Sequence, residues 1–194
     1  MAALKYVREV KDSNLLSLGV SEGEETARYT VGEKTYLAIG SPAVGDMLDD
    51  SQIYELKQAD ELYRARKKAL SLLAFADNNE RNLRMKLVRA GFGRETCDTV
   101  VSEMVERGYI NEKSQLERLI LNEANSKLRG PLRIIPALTA KGYSSCDVRE
   151  VMHALVDSGE IDFKKNAKAL IEKKLPLGEA EEKKKLLYKN GYKI

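Results

Sequence analysis

The chain has 194 residues, enough for one medium domain or two small ones, and 43% of them are hydrophobic, so wholesale disorder is excluded. Lys and Arg number 33 against 30 Asp and Glu, a net charge of only +3. There is no run of about 18 apolar residues, and the start at Met1-Ala2-Ala3-Leu4-Lys5 lacks the flanks of a signal peptide, so a soluble, cytoplasmic protein without a membrane span is expected.

Two cysteines, Cys97 and Cys146, cannot build a disulfide framework or a zinc signature, and His153 is the single histidine. The near-neutral total hides an uneven distribution. Residues 1–60 hold 6 basic and 11 acidic residues, a net of −5, which leaves 27 basic and 19 acidic, a net of +8, for residues 61–194. An acidic head precedes a basic body.

The first forty residues read as short strands: Tyr6–Val10, Leu15–Leu18, and a hairpin of Ala27–Val31 and Lys34–Ile39 turning at Gly32-Glu33. This predicts a small antiparallel β meander of three or four strands that leans on a helix. Ser41-Pro42-Ala43-Val44-Gly45-Asp46 is a connection, after which the pattern is helical throughout. Ser51 is the expected N-cap of a long helix with no Gly or Pro before Ala76.

From there the chain repeats itself. Gly91-Phe92, Gly142-Tyr143 and Gly191-Tyr192 recur at spacings of 51 and 49. Adding 51 to Cys97, Val100, Val101, Met104 and Val105 gives Val148, Val151, Met152, Leu155 and Val156, the same buried stripe at helical period. Leu83 and Leu87 likewise map onto Ile134 and Leu138. Helices are predicted near 60–76, 80–90 and 95–107, then 113–128, 132–141 and 146–157, then 163–174 and 179–189. Asn78-Asn79 offers a cap for the second of these, Gly91 a left-handed stop, and Pro131 a first-turn position. The division expected is 1–50 for the meander, 51–111 and 112–162 for two three-helix repeats, and 163–194 for a third whose final helix is missing. Stacked units of this kind form an elongated, curved, solenoid-like body.

The search for chemistry is mostly empty. No phosphate loop is present, and Gly91-Phe92-Gly93 lacks the strand and third glycine of a dinucleotide site. Asp49-Asp50 and Glu24-Glu25 are paired carboxylates beside turns or caps, and Cys97 lies on a core stripe. No enzyme and no cofactor is expected. The cations are the better lead: Arg81, Arg84, Lys86, Arg89 and Arg94 lie in a stretch with no acid. Arg129, Arg133 and Lys141 flank the corresponding helix of the second unit, and Lys164, Lys165 and Lys168 open the third. A basic face repeated along a body suits a long polyanion.

The runs Asn82-Leu83-Arg84-Met85-Lys86-Leu87-Val88-Arg89-Ala90-Gly91-Phe92, Arg107-Gly108-Tyr109-Ile110 and Arg129-Gly130-Pro131-Leu132-Arg133-Ile134-Ile135 resemble the RecX family of recombination regulators over residues 60–192. The resemblance implies a non-catalytic protein of DNA repair and homologous recombination, linked to the SOS response. Its partner would be the RecA recombinase filament, whose growth, ATP hydrolysis and strand exchange it would inhibit, and it would act as a monomer. The cations named above would then be filament- and DNA-binding residues, weakly attracting single- and double-stranded DNA through phosphates. Asn79 and Asn82 depart from the family's Ser/Thr cap followed by Glu, and Asn111-Glu112 departs from its usual acidic pair. The alternative is a helix-turn-helix-type protein binding DNA or RNA directly, since helical triplets with basic second and third helices have that form too.

Overall fold

The computed structural model describes residues 2–11, 13–23 and 25–193; Met1, Glu24 and Ile194, named above, lie outside the described residues. The chain is mostly helical with a small N-terminal antiparallel sheet. In order it forms β1 (Ala2–Glu9), β2 (Leu15–Glu22), β3 (Glu25–Gly32), α1 (Glu33–Ala38), β4 (Met47–Leu48), α2 (Asp50–Phe75), α3 (Glu80–Arg89), α4 (Arg94–Glu106) and α5 (Glu112–Leu121). A π-helical turn (Asn122–Ser126), α6 (Pro131–Ala140), α7 (Ser145–Asp157), α8 (Phe163–Lys174) and α9 (Ala180–Lys189) follow. Two compact units result: residues up to Ala76 with Arg84–Met104, and Asp77–Leu83 with the residues from Val105 onward.

In the first unit the strand order is β3-β2-β1-β4, every pair antiparallel. Alternation sends Leu4, Leu18, Val20, Tyr29 and Val31 to one face, where they meet Ile39 and Leu56. Each such side chain removed from water contributes about 1.5–3 kcal/mol. Asp60, almost buried on α2, accepts from the Thr30 amide on the free edge of β3 at 2.8 Å and pairs with Arg64 at 2.8 Å. On α4, Cys97, Val100, Val101 and Met104 are buried, while Arg66 Nε donates to Glu103 Oε2 at 2.6 Å from α2.

Two expectations are corrected here. Lys34–Ile39 is not the second strand of a hairpin; residues 33–38 form α1. Gly32 is extended at φ −74°, so no tight turn forms there, and the turn between β2 and β3 carries a glycine with positive φ, Gly23 (+71°). Helical spacing brings Tyr36 and Ile39 to the core while Leu37 stays exposed, and the Tyr36 hydroxyl donates to the Pro42 carbonyl at 2.8 Å. The second correction concerns the α2 cap, which is Asp49 rather than Ser51. Asp49 Oδ1 accepts from the Gln52 amide at 2.8 Å while Gln52 Oε1 accepts from the Asp49 amide at 2.9 Å, two orphan donors satisfied reciprocally.

The second unit is built on Leu116, Ile120, Ala124, Ile134, Leu138, Val148, Met152, Leu155 and Ile161. α6 opens with Pro131 in its first turn and closes at Gly142 (φ +98°), with the Tyr143 amide donating back to the Leu138 carbonyl at 3.3 Å. α9 closes in the same way, with Gly191 at +86° and Tyr192 N–H to Leu187 O at 3.1 Å. Gly91 (+93°) with Phe92 N–H to Leu87 O at 3.3 Å gives the same ending to α3. The starts are matched too. Asn79 Nδ2 donates to the Lys141 carbonyl at 3.0 Å, and Gly130 N–H donates to the Asn190 carbonyl at 2.8 Å.

Candidate polyanion-binding surface

α3 begins where Asn79 Oδ1 accepts from the Asn82 amide at 2.8 Å, a cap that fixes its register. Leu83 and Leu87 are then fully buried, which turns Arg81, Arg84, Lys86 and Arg89 to solvent, and Arg94 opens α4 in the same exposed state. Arg84 is partly neutralised, because its Nε donates to Asp98 Oδ1 on α4 at 2.5 Å. Arg81, Arg89 and Arg94 have no ion-pair partner among the described residues.

The cations flanking α6 are employed differently. Arg129 Nη1 pairs with Glu123 Oε2, and Lys127 Nζ donates to Glu123 Oε1 at 2.6 Å. The Glu123 side chain is 5% exposed, and Arg129 also donates its amide to the Glu123 carbonyl at 3.0 Å. Burial works to raise the Glu123 pKa, but the bonds from Lys127 and Arg129 outweigh it and hold the carboxyl below its ordinary range. Arg129 therefore closes the turn out of the π-helical segment, where Leu128 sits at φ +52°. Arg133 Nη1 donates to the Lys189 carbonyl at 3.0 Å. Lys141 keeps an exposed side chain while its carbonyl accepts from Asn79 and from Asn82 Nδ2, the latter at 2.9 Å. On α8, Lys164, Lys165 and Lys168 share one exposed helix start, whose backbone is capped by Asp162.

Beyond the Asn79 cap, the sequence pattern does not foretell a polar seam in the second unit. Tyr143 hydroxyl donates to Gln115 Oε1 at 2.8 Å, and Gln115 Nε2 donates to the Asn78 carbonyl at 3.3 Å. Glu112 Oε1 accepts from the Glu80 amide at 2.8 Å, and Asp77 pairs with Arg118. Burial raises the Tyr143 and Glu112 pKa values and pushes the Tyr192 hydroxyl up to about 12. A cleft of about 380 Å³ opens beside Asn79, Asn82, Arg118 and Lys141. No buried side-chain nitrogen or oxygen among the described residues lacks a partner, so the polar groups of the seam are satisfied. The signal in the sequence is weak because Asn and Gln at these spacings read equally well as caps or solvated surface.

His153 is exposed on the rim of an apolar groove with Ile135, Met152 and Phe163, Cys97 is buried and Cys146 exposed. Among the described residues no three His, Cys, Asp or Glu side chains gather as a metal site, and no helix is long and apolar enough to cross a membrane.

No family model matches the chain. A regulatory protein RecX from Listeria welshimeri serovar 6b is 24% identical over 139 residues, 72% of this chain and 51% of that one. RecX of Bacillus velezensis is 26% identical over 121 residues (60% and 44%), and RecX of Clostridioides difficile is 25% identical over 174 residues (86% and 80%). The chain thus covers about half the length of the Listeria and Bacillus relatives. Among solved structures, a crystal structure of regulatory protein RecX superposes with a TM-score of 0.73 at 18% identity, over 100% of this chain and 95% of that one. RecX from Lactobacillus salivarius gives 0.59 at 17% identity, over 70% and 90%. The two structures show a shared fold. Sequence relatives and structural neighbours carry one family name between them, and the family they support for this chain is RecX.

Proposed function

We propose that the chain is a non-catalytic regulator that binds the RecA recombinase and its DNA filament and restrains filament growth, ATP hydrolysis and strand exchange. It would work in the cytoplasm as a monomer, within DNA repair by homologous recombination and the SOS response. The carrying observation is the match of the whole chain to a protein described as regulatory protein RecX, together with relatives of that name. The tandem arrangement of the helices is part of the proposal and draws support from the matched endings at Gly91, Gly142 and Gly191.

Contact with the recombinase would dominate, and phosphate attraction would assist. The exposed Arg81, Lys86, Arg89, Arg94, Lys141, Lys164, Lys165 and Lys168 are the proposed assisting residues. Arg84 joins them only in part because of Asp98, and Arg129 and Arg133 serve chiefly to hold the fold. The purified protein should slow RecA-driven strand exchange at amounts well below those of RecA. No effect at equal amounts would remove the reading. If one duplex sequence instead outcompetes all others at fixed salt, the direct DNA-binding alternative replaces it.

A further inference from the structure

The outer face of the N-terminal sheet carries a charge pattern that the regulator reading does not use. Strand alternation places Tyr6, Arg8, Ser17, Gly19, Arg28 and Thr30 opposite the core-facing Leu4, Leu18, Val20, Tyr29 and Val31. The helices that touch the sheet contribute Tyr36, Ile39 and Leu56 to the core side. Residues 1–60 hold 11 acids and 6 bases. None of these six positions is acidic, and two are arginine.

Those two arginines stand on either side of β2. Ser17 on the central β2 pairs across the ladder with Arg8 of β1, and its Oγ accepts from Arg28 Nε of β3 at 3.0 Å. Neighbouring strands lie about 4.8 Å apart, so the two guanidinium groups flank one small residue from either side. Arg8 Cζ lies over the Tyr6 ring, 4.7 Å from its centroid. The ring in turn lies over Gly19, where a Cβ would stand 2.6 Å from Tyr6 Cδ1 and Cζ, so only glycine leaves the ring its place. Neither arginine has a carboxylate partner among the described residues. The two like charges stand on β1 and β3, one on each side of β2, and an anion over β2 is attracted to both. The planar guanidinium fork matches phosphate oxygens in particular.

The geometry points to this face as a binding site for single-stranded nucleic acid, a backbone phosphate resting between Arg8 and Arg28 above Ser17. An open sheet face of small and basic residues accepts the backbone of an unpaired strand, whereas duplex readout requires an element that enters a groove. The assignment is independent of the recombinase. The test is fluorescence anisotropy of the full chain with labelled oligodeoxythymidine across a salt series, with no recombinase present. The double variant Arg8→Gln/Arg28→Gln should bind about tenfold more weakly, and its log–log salt slope should be shallower by about 0.7, the value for one phosphate. Both side chains are exposed, so an unchanged thermal melt confirms an intact fold. Wild-type affinity and slope in the double variant overturn the assignment. Parallel titrations with a labelled duplex and with the recombinase complete the test: a loss confined to duplex DNA overturns the assignment, as does a loss of recombinase binding with single-strand binding intact, which would make the face a docking site for an acidic protein.

Discussion

The amide of Gly130 donates to the carbonyl of Asn190 at 2.8 Å, and the two backbones are so close that a Cβ on residue 130 would stand 2.5 Å from the Gly191 carbonyl carbon and 2.7 Å from the Tyr192 nitrogen. Backbone, unlike a flexible side chain, cannot give way cheaply. Gly130→Ala should therefore cost about 2–4 kcal/mol by forcing the start of α6 from the end of α9. Gly108 is the control: at φ +74° a Cβ there would meet nothing within 4 Å, so Gly108→Ala should cost only the left-handed backbone penalty of about 1–2 kcal/mol. Equilibrium urea denaturation of both variants compares them directly, and equal costs would show that position 130 is not crowded.

Glu123 makes stability depend on acid. Its pKa is depressed in the folded state, so its contribution is fully present above the unfolded carboxylate value and is lost as pH falls through the lower folded value. The window is therefore the acidic side of about pH 4.3, the ordinary glutamate value. Glu123→Gln should lower stability at pH 7 by roughly 2–3 kcal/mol, since Arg129 loses its nearly buried partner. The gap between wild type and variant should close as the medium is acidified. Denaturation midpoints measured from pH 7 to pH 2.5 would show it, and a constant gap would count against the pairing.

Asp98 offers a gain rather than a loss. Its pair with Arg84 is exposed on both sides, 59% and 47%, so Asp98→Asn should change stability by less than about 1 kcal/mol. Released from its neighbour, Arg84 joins the exposed cations of α3, and affinity for single-stranded DNA should rise about two- to fivefold with a steeper salt slope. Anisotropy titrations at several salt concentrations decide this, and an unchanged slope would leave Arg84 outside the DNA-binding surface.

The helices were legible because periodicity and punctuation agreed. Leu83, Leu87, Ile134 and Leu138 recur at core spacing, and each glycine–aromatic pair ends its helix with the backbone bond its sequence implies. Residues 33–38 were not legible, because Tyr36, Leu37 and Ile39 satisfy strand alternation and helical spacing alike over so short a run. Packing against the sheet chose between them. Helical spacing put Arg81, Arg84, Lys86 and Arg89 on the solvent side of α3, but it could not separate cations that solvate from those that brace. Arg129 and Arg89 look equivalent in sequence, yet one clamps a carboxylate that is almost out of water and the other meets solvent.

The seven-residue stretch 77–83 belongs to the second unit, although residues on either side of it belong to the first. The two bodies are therefore interleaved along the polypeptide, and no single scission yields them as complete pieces. A fragment starting at Val105 would leave Gln115 without the Asn78 carbonyl, Glu112 without the Glu80 amide and the Lys141 carbonyl without Asn79. Supplying 77–83 in trans as a peptide, or keeping it through a circularly permuted chain, is what would make that half self-sufficient.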